Sequence, residues 1–487
     1  MIGDSSTDQL GYSVNSAGDI NNDGYEDFLV GSMAYNSYMG AVYVVYGRST
    51  LSDIDLSSQS LNPSTTGFTI TGRATGDYLG CAVNAAGDIN GDGYDDMIIG
   101  AQKAYSYKGA VYVIYGQPTA TFTNIDLSTT TLDPASTGFM IKGATTTDRL
   151  GFSVGSAGKF NEDKYHDIII GAYIKDNYKG GAYVIYGKAT SSHANIDLST
   201  TTLDPQTTGF LVSGSEKNSQ LGMSVNSAGD FNNDGYNDVI IGANAYNTMQ
   251  GVAYVIYGNL TSSLSNIDLS STTLDPSSTG IRLFGKQQNS HFGRSVKTAG
   301  DINGDGYSDL IIGAYLERST QIGAIYVVYG GSTSSRVNYD FSTDTLDPQS
   351  TGFVIRGSAS ALSVGTTVGT AGDIDDDGYD DIIFASNSTS SGDTGIGYVV
   401  YGKPTEDLTN IDLSTDTLDP TSTGFTVTGV AVKDQLGYSI GAGDFNNDGK
   451  PEIIFGVQNK LSGRGTAYIM YPSSRKAFCS FQITSLL

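Results

Sequence analysis

The sequence predicts an all-β protein, a seven-bladed β-propeller of four-stranded antiparallel blades. Three observations lead there. A nine-residue acidic segment recurs seven times at nearly constant spacing. Each period holds four short, β-branched segments bounded by glycine, none with helical 3.6-residue spacing. The composition, with 63 glycines, 32 tyrosines, 10 prolines and no tryptophan, is that of many short strands joined by tight turns.

The acidic segment first reads DINNDGYED, from Asp19. It returns as DINGDGYDD from Asp88, DFNNDGYND from Asp230, DINGDGYSD from Asp301, DIDDDGYDD from Asp373 and DFNNDGKPE from Asp444, with a degenerate copy, KFNEDKYHD, from Lys159. Successive starts lie 69, 71, 71, 71, 72 and 71 residues apart. A fixed period of this kind marks a solenoid, a propeller or an array. Within a unit, a Leu-Gly or Phe-Gly pair opens a segment such as Tyr12–Gly18, and the acidic loop follows. Then come an apolar run such as Val239–Gly242, a polar tyrosine-rich stretch, a strand such as Ala41–Gly47, a linker such as Ile125–Pro134, and a closing strand such as Gly138–Gly143. Four strands repeated seven times is propeller arithmetic; the coils of a linear β-solenoid are far shorter than this unit.

A propeller must join its ends or leave blade edges open. Met1-Ile2-Gly3 aligns with the end of the closing strand, so the chain begins inside a fourth strand. The segment Phe481–Ser485 resembles Phe68–Gly72. The tail, residues 476–487, is therefore expected to supply the strand that the N-terminus lacks, making residues 1–487 a single propeller domain.

The net charge of −25 sets the chain against nucleic acid and anionic membrane surfaces. Its acid is concentrated in the short loops rather than spread through a solvated tract. Cys81 and Cys479 form no disulfide framework and read as reduced thiols. No apolar run approaches the 18 residues of a membrane span. The start lacks a basic region followed by an apolar stretch, so no signal peptide is expected here; a start inside a strand reads as a trimmed form.

The acidic loop reads as a calcium site. In the first copy Asp19, Asn21 and Asp23 occupy positions 1, 3 and 5, Gly24 at position 6 permits a sharp turn, Tyr25 at position 7 offers its carbonyl, and Asp27 at position 9 adds a carboxylate. The corresponding sets are Asp88, Asn90, Asp92, Tyr94 and Asp96; Asp230, Asn232, Asp234, Tyr236 and Asp238; Asp301, Asn303, Asp305, Tyr307 and Asp309; Asp373, Asp375, Asp377, Tyr379 and Asp381; and Asp444, Asn446, Asp448, Lys450 and Glu452. All are hard oxygen donors, which suit calcium; zinc would want cysteine or histidine. The loop is not an EF-hand, because position 12 falls in the following strand, at Val30 and Ile99 in the first two copies. Such segments also occur as metal-free Asx turns, but six copies that keep the donors favour six Ca2+ sites. The third loop is expected to be empty: Lys159 replaces the first carboxylate, Lys164 replaces the glycine, and the Lys159 ammonium would neutralise Asp163 and Asp167.

These motifs resemble the FG-GAP repeats of integrin α-subunit propellers and their bacterial relatives. The FG position reads Leu10-Gly11, Leu79-Gly80, Leu150-Gly151, Leu221-Gly222, Phe292-Gly293, Val364-Gly365 and Leu436-Gly437. The GAP position reads Gly31-Ser32-Met33, Gly100-Ala101-Gln102, Gly171-Ala172-Tyr173, Gly242-Ala243-Asn244 and Gly313-Ala314-Tyr315, and decays to Phe384-Ala385-Ser386 and Phe455-Gly456-Val457. The resemblance covers essentially the whole chain. It implies calcium in the hairpin between the first two strands of a blade, with protein or glycan ligands docking mainly on the opposite face. Even spacing leaves no room for an inserted adhesion domain.

Function is then sought in what varies on that frame. Tyr35, Tyr38, Tyr105, Tyr107, Tyr173 and Tyr178 form a candidate ligand patch, since tyrosine anchors interfaces; packing between blades is the plainer role for any one of them. Asp8, Asp77, Asp148 and Asp434, each two residues before the Leu-Gly pair, read as turn caps. Asn259-Leu260-Thr261 and Asn387-Ser388-Thr389 match the glycosylation acceptor pattern. The leading reading is a calcium-stabilised, non-catalytic adhesion or protein-binding module, extracellular or at the cell surface. A carbohydrate-binding propeller is the alternative, and a polysaccharide- or lipid-acting enzyme the second. A catalytic site should break the repeat with a unique acid, base or nucleophile; Lys159, Lys164 and His166 do break it, but read as a decayed metal loop.

Overall fold

A computed structural model describes residues 1–5, 7–161, 163–317, 322–358, 361–389, 392–472 and 481–482. Seven sheets stand around a central axis. In the first blade the strands Leu10–Gly18, Asp27–Ser32, Ala41–Val45 and Gly67–Thr71 pair antiparallel in order from the axis outward. The pattern repeats in the next five blades. The second strands of all seven blades and the third strands of the first five are buried along their whole length because each sheet is covered on both faces by its neighbours, hence the unbroken apolar runs where a one-sided sheet would alternate. The core therefore lies between blades: Leu29 and Val42 of the first pack with Ile99 and Tyr112 of the second.

Blades approach so closely that the first GAP position is glycine in six blades and alanine, the next smallest residue, in the sixth: the strand register puts Ala385 and Gly456 there, one residue beyond the Phe384 and Phe455 that the sequence motif suggested. A Cβ on Gly100 would run into the carbonyl oxygen of Gly151 in the next blade. The same FG glycine carbonyls accept a ring of hydrogen bonds around the axis. Ser13 Oγ donates to Gly80 O (2.8 Å), Ser153 to Gly222, Ser224 to Gly293 and Ser295 to Gly365 (2.9 Å each), and Thr367 to Gly437 (3.3 Å). Ser439 donates to Gly11 O at 2.9 Å and closes the ring between the seventh and first blades. In the second blade Ala82 stands at the serine position, and the Cys81 thiol reaches Gly151 O (3.4 Å) instead. Cys81 is a free, buried thiol, as expected; Cys479 lies outside the described residues.

Two features go beyond the expected four strands. The Ile-Asp pair of the linker, Tyr339-Asp340 in one unit, adds a short parallel fifth strand to the outer edge of the preceding blade: Ile125–Asp126 lies against Ile70 and Thr71. The preceding Asn124 side chain accepts the outer strand's spare N–H, from Thr69 at 2.9 Å. This covers an edge that would otherwise be open. The second feature concerns closure. Ile2 bridges antiparallel to Thr466 and parallel to Asp55, as Thr71 does between Ala41 and Asp126, so the N-terminus holds the fourth-strand position of the seventh blade. In the tail, Phe481–Gln482 pairs in parallel with Val427 and Thr428 of the sixth blade, the position of the Ile-Asp pair in other units, and not on the first blade. Residues 473–480 and 483–487 lie outside the described residues.

Successive antiparallel strands connect at alternate ends. The acidic loops all fall on one face, while the tyrosine turns and the segments before each Leu-Gly pair fall on the other.

Candidate metal centres

Each complete loop is shaped by its own carboxylates. In the first, Asp19 accepts the N–H groups of Asp23 (3.1 Å) and Gly24 (2.9 Å), Asn21 Oδ1 accepts Asp23 N–H (2.9 Å), and Asp23 accepts Tyr25 N–H (3.1 Å). The Asp19-type pair of bonds recurs at Asp88, Asp230, Asp301, Asp373 and Asp444. Gly24 has φ +91°, as a turn glycine at position 6 requires. Position 4 is also left-handed, and so is Asn22, Gly91, Asn233, Gly304, Asp376 or Asn447, residue types that tolerate it. Restriction of that position to Asn, Gly and Asp was a visible signal that the donor count overlooked.

The structure brings positions 1, 3 and 5 together and gives position 9 a second task. Asp373, Asp375 and Asp377 each offer a carboxylate oxygen within 4.8 Å of the others. Asp27 is fully buried; its Oδ2 accepts Ile20 N–H (3.1 Å) and its Oδ1 accepts Gly47 N–H (2.8 Å), stapling the loop to the end of the third strand. Asp167 makes the same two bonds in the degenerate third copy, from Phe160 and Gly187. This staple therefore belongs to the blade itself.

Burial drives the carboxyl pKa values upward. Asp23, Asp92 and Asp234 are raised chiefly by desolvation, and Asp27, Asp96, Asp167, Asp238 and Asp309 lie well above the ordinary range for the same reason. Asp381 is pushed up to about 8 and Glu452 to about 7. A divalent cation at positions 1, 3 and 5 would offset the part of this cost that falls on Asp23, Asp92 and Asp234, by supplying positive charge to crowded, partly desolvated oxygens. The donor set, all oxygen at positions 1, 3 and 5, fits calcium.

The third loop differs as its lysines require. With Lys159 at position 1, Asp163 N–H is held by Asn161 Oδ1 (2.8 Å). The expected neutralisation is not seen: among the described residues no ion pair joins Lys159 to Asp163 or Asp167. The Lys164 ammonium instead sits 5.0 Å from the Tyr165 ring centroid. His166, grouped with these lysines by sequence, serves the neighbouring loop, its Nδ1 accepting Asp88 N–H at 2.9 Å. The residue at position 8 does this at three more junctions: Asp95 accepts Asp19 N–H, Asn237 accepts Lys159 N–H and Asp380 accepts Asp301 N–H. The loops are thus laced one to the next around the face.

On the opposite face the six candidate tyrosines divide. Tyr38, Tyr107 and Tyr178, at equivalent turn positions, are 43%, 48% and 44% exposed. Tyr35 and Tyr105 pack against the core, and Tyr173 packs on Phe152 (4.4 Å between centroids) while accepting a hydrogen bond from Arg149 (3.0 Å). Tyr38 stacks on Tyr78 at 4.8 Å, and the Lys103 ammonium lies 3.7 Å over Tyr78 and 5.8 Å from the Tyr107 centroid. A strip of aromatic rings and cations therefore runs over the first three blades. The aspartates before the Leu-Gly pairs are turn caps as expected: Asp8, Asp148 and Asp434 accept N–H groups three residues upstream, from Ser5, Thr145 and Ala431, and Asp77 pairs with Arg73.

A seven-bladed propeller with Gly-rich inter-blade contacts and an acidic loop in each inner hairpin defines a class, and the comparisons agree with it. The family model described as the FG-GAP repeat matches residues 10–45, 82–114, 222–256, 292–328 and 436–470, so five of the seven blades carry a recognisable FG-GAP repeat. It is similar to integrin alpha-5 of Xenopus laevis, 26% identical over 290 residues, covering 59% of this chain and 24% of the integrin. It is also similar to integrin alpha-V of Gallus gallus, 29% identical over 238 residues, 48% of this chain and 20% of the integrin. A third relative is phosphatidylinositol-glycan-specific phospholipase D of Dictyostelium discoideum, 27% identical over 222 residues, 43% of this chain and 23% of that protein. The chain thus spans about a quarter or less of the length of these curated relatives. Among the described residues no helix is long and apolar enough to cross a membrane.

Proposed function

We propose that this propeller is a calcium-stabilised, non-catalytic protein-binding module that works outside the cytosol. Six calcium ions bind, one in each loop that keeps Asp19, Asn21 and Asp23 or their equivalents, with the Tyr25-type carbonyl and the position 9 carboxylate completing the set; the Lys159 loop stays empty. The observation that carries the reading is the repeated loop geometry, in which position 1, 3 and 5 oxygens converge in the same hydrogen-bonded frame. When bound, calcium supplies charge compensation, and the laced loops spread that compensation around one face. Sites without the full EF-hand ligand set fall near ~10⁻⁴–10⁻³ M, a level met in extracellular fluid. Six ions would cancel about half of the −25 net charge. The opposite face, with Tyr38, Tyr107 and Tyr178 exposed, is where the ligand docks, as the likeness to integrin alpha chains supports. Equilibrium dialysis against calcium tests the first half: six ions per chain are expected, and none or one would overturn it.

A second reading, a lipid-acting enzyme, rests on the phospholipase D relatives. Release of phosphatidic acid from a glycosyl-phosphatidylinositol substrate by the purified chain would establish it.

A further inference from the structure

The innermost strands of the seven blades wall the central channel. They read LGYSVNSAG, LGCAVNAAG, SVGSAG, SVNSAG, FGRSVKTAG, TVGTAG and SIGAG. In a chain of net charge −25 these strands carry two charged residues, both cations and both on the fifth blade: Arg294 and Lys297. Their equivalents elsewhere are neutral. Arg294 stands where other blades have Tyr12, Cys81, Phe152, Met223, Thr366 and Tyr438; Lys297 stands where they have Asn15, Asn84, Gly155, Asn226, Gly369 and Gly441. In so regular a repeat, two departures three residues apart on one strand mark the point where the frame is put to use.

Arg294 helps to line a cavity of about 280 Å³ at the mouth of the channel, on the face opposite the acidic loops. Tyr12 and Tyr438, 5.1 Å apart, and Phe152 with Tyr173, 4.4 Å apart, form aromatic flanks. Arg294 shares the cavity wall with Tyr12, Phe152 and Tyr438. Lys297 lies deeper, its side chain beside Gly369, whose lack of a Cβ leaves it space. Burial alone lowers its ammonium pKa to about 8, with no acidic neighbour raising it. Among the described residues neither cation has an acidic partner, whereas Arg73 and Arg464 are paired with Asp77 and Asp55. The Ser295 hydroxyl between them is committed to Gly365 O. A desolvated cation without a counter-charge is unfavourable, and a carboxylate is its natural complement, held in two-point fashion by the guanidinium fork.

We propose that the channel mouth is a carboxylate-binding site, with Arg294 as the direct contact and Lys297 as a second cation behind it, and that its occupant is an acidic side chain inserted by a protein ligand. This names the chemistry of the face assigned to ligand above and rests on that reading for the ligand being a protein.

The test uses the whole chain in millimolar calcium and acetyl-triglutamyl-amide as probe, followed by calorimetry. Arg294→Met and Lys297→Asn copy Met223 and Asn226 of the fourth blade, so the fold is expected to tolerate them. Arg294→Met should weaken binding by about tenfold or more, as loss of a charge-assisted pair does, and Lys297→Asn by about threefold. The triglutaminyl analogue should bind at least tenfold more weakly than the acid. Equal binding of acid and amide, or an Arg294→Met affinity equal to that of the parent, would overturn the site. Succinate binding as tightly as the peptide would overturn the protein ligand in favour of a free small acid. Calcium-dependent melting, read in the same samples, should be the same in both variants; its absence in the parent would count against the calcium reading and leave the carboxylate result to stand or fall by itself.

Discussion

Asp167→Ala separates the structural task of the loop carboxylates from cation binding. Asp167 is fully buried and accepts Phe160 N–H at 3.2 Å and Gly187 N–H at 2.8 Å. Alanine leaves both donors buried without a partner, at about 1–3 kcal/mol each. Relief of the buried carboxyl's desolvation offsets part of this, so a net loss of about 3 kcal/mol follows, roughly a hundredfold in an opening equilibrium. Amide hydrogen exchange at Phe160 and Gly187 reads it directly, because local opening is reported residue by residue. The loss should be equal in calcium and in chelator, since Lys159 removes the first ligand of that loop. Asp238→Ala makes the matched comparison: it frees the amides of Phe231 (3.0 Å) and Gly258 (2.9 Å) in a loop with its full donor set, so its effect should be larger in calcium than in chelator. Unchanged protection in Asp167→Ala, or a calcium-dependent effect there, would refute the separation of staple from ligand.

Three further outcomes are expected. Lys159→Asp with Lys164→Gly rebuilds the third loop and should raise calcium stoichiometry by one in equilibrium dialysis. His193, stacked on Phe139 at 4.6 Å, has its pKa lowered by burial to about 4; the unfolded chain protonates first, so this residue's own contribution to stability should fall as pH drops from about 6.5 to about 4, by at most ~3 kcal/mol, against the opposite slope of the buried carboxyls. His193→Phe, which copies the Phe122–Phe68 stack of the first blade, should remove that contribution, so in denaturant titrations the variant should gain up to ~3 kcal/mol on the parent between pH ~6.5 and ~4. Alanine at Tyr38, Tyr107 and Tyr178 together should leave the melting temperature unchanged and weaken ligand capture; full capture by the triple variant would remove these side chains from the binding surface.

The repeat made the blade count, the strand order and the acidic loops legible, because near-identical copies expose which positions the fold demands. Gly24 and its equivalents could be assigned a turn from type alone. What escaped were pairings between units. The parallel fifth strand joins Ile125 to Ile70, and the Asn124 cap reaches Thr69, across 55 residues. Neither leaves a local periodicity to read. The tail's likeness to Phe68–Gly72 pointed to a fourth strand, yet Phe481–Gln482 takes the Ile-Asp position beside Val427, while Ile2 fills the fourth-strand position beside Thr466. Short β-branched pairs serve either edge, and composition does not choose between them. The lysines of the third loop suggested internal ion pairs; the neighbouring blade explains His166 better, since position 8 serves the loop before it.

The central claim is that cations hold the carboxylates together, and a thermal melt followed by circular dichroism tests it most directly. With millimolar calcium the melting temperature should lie far above that in excess chelator, and the shift should follow calcium concentration. Superimposable melts would contradict the account: the loops would then be metal-free Asx turns, and the placement outside the cytosol would lose its physical basis.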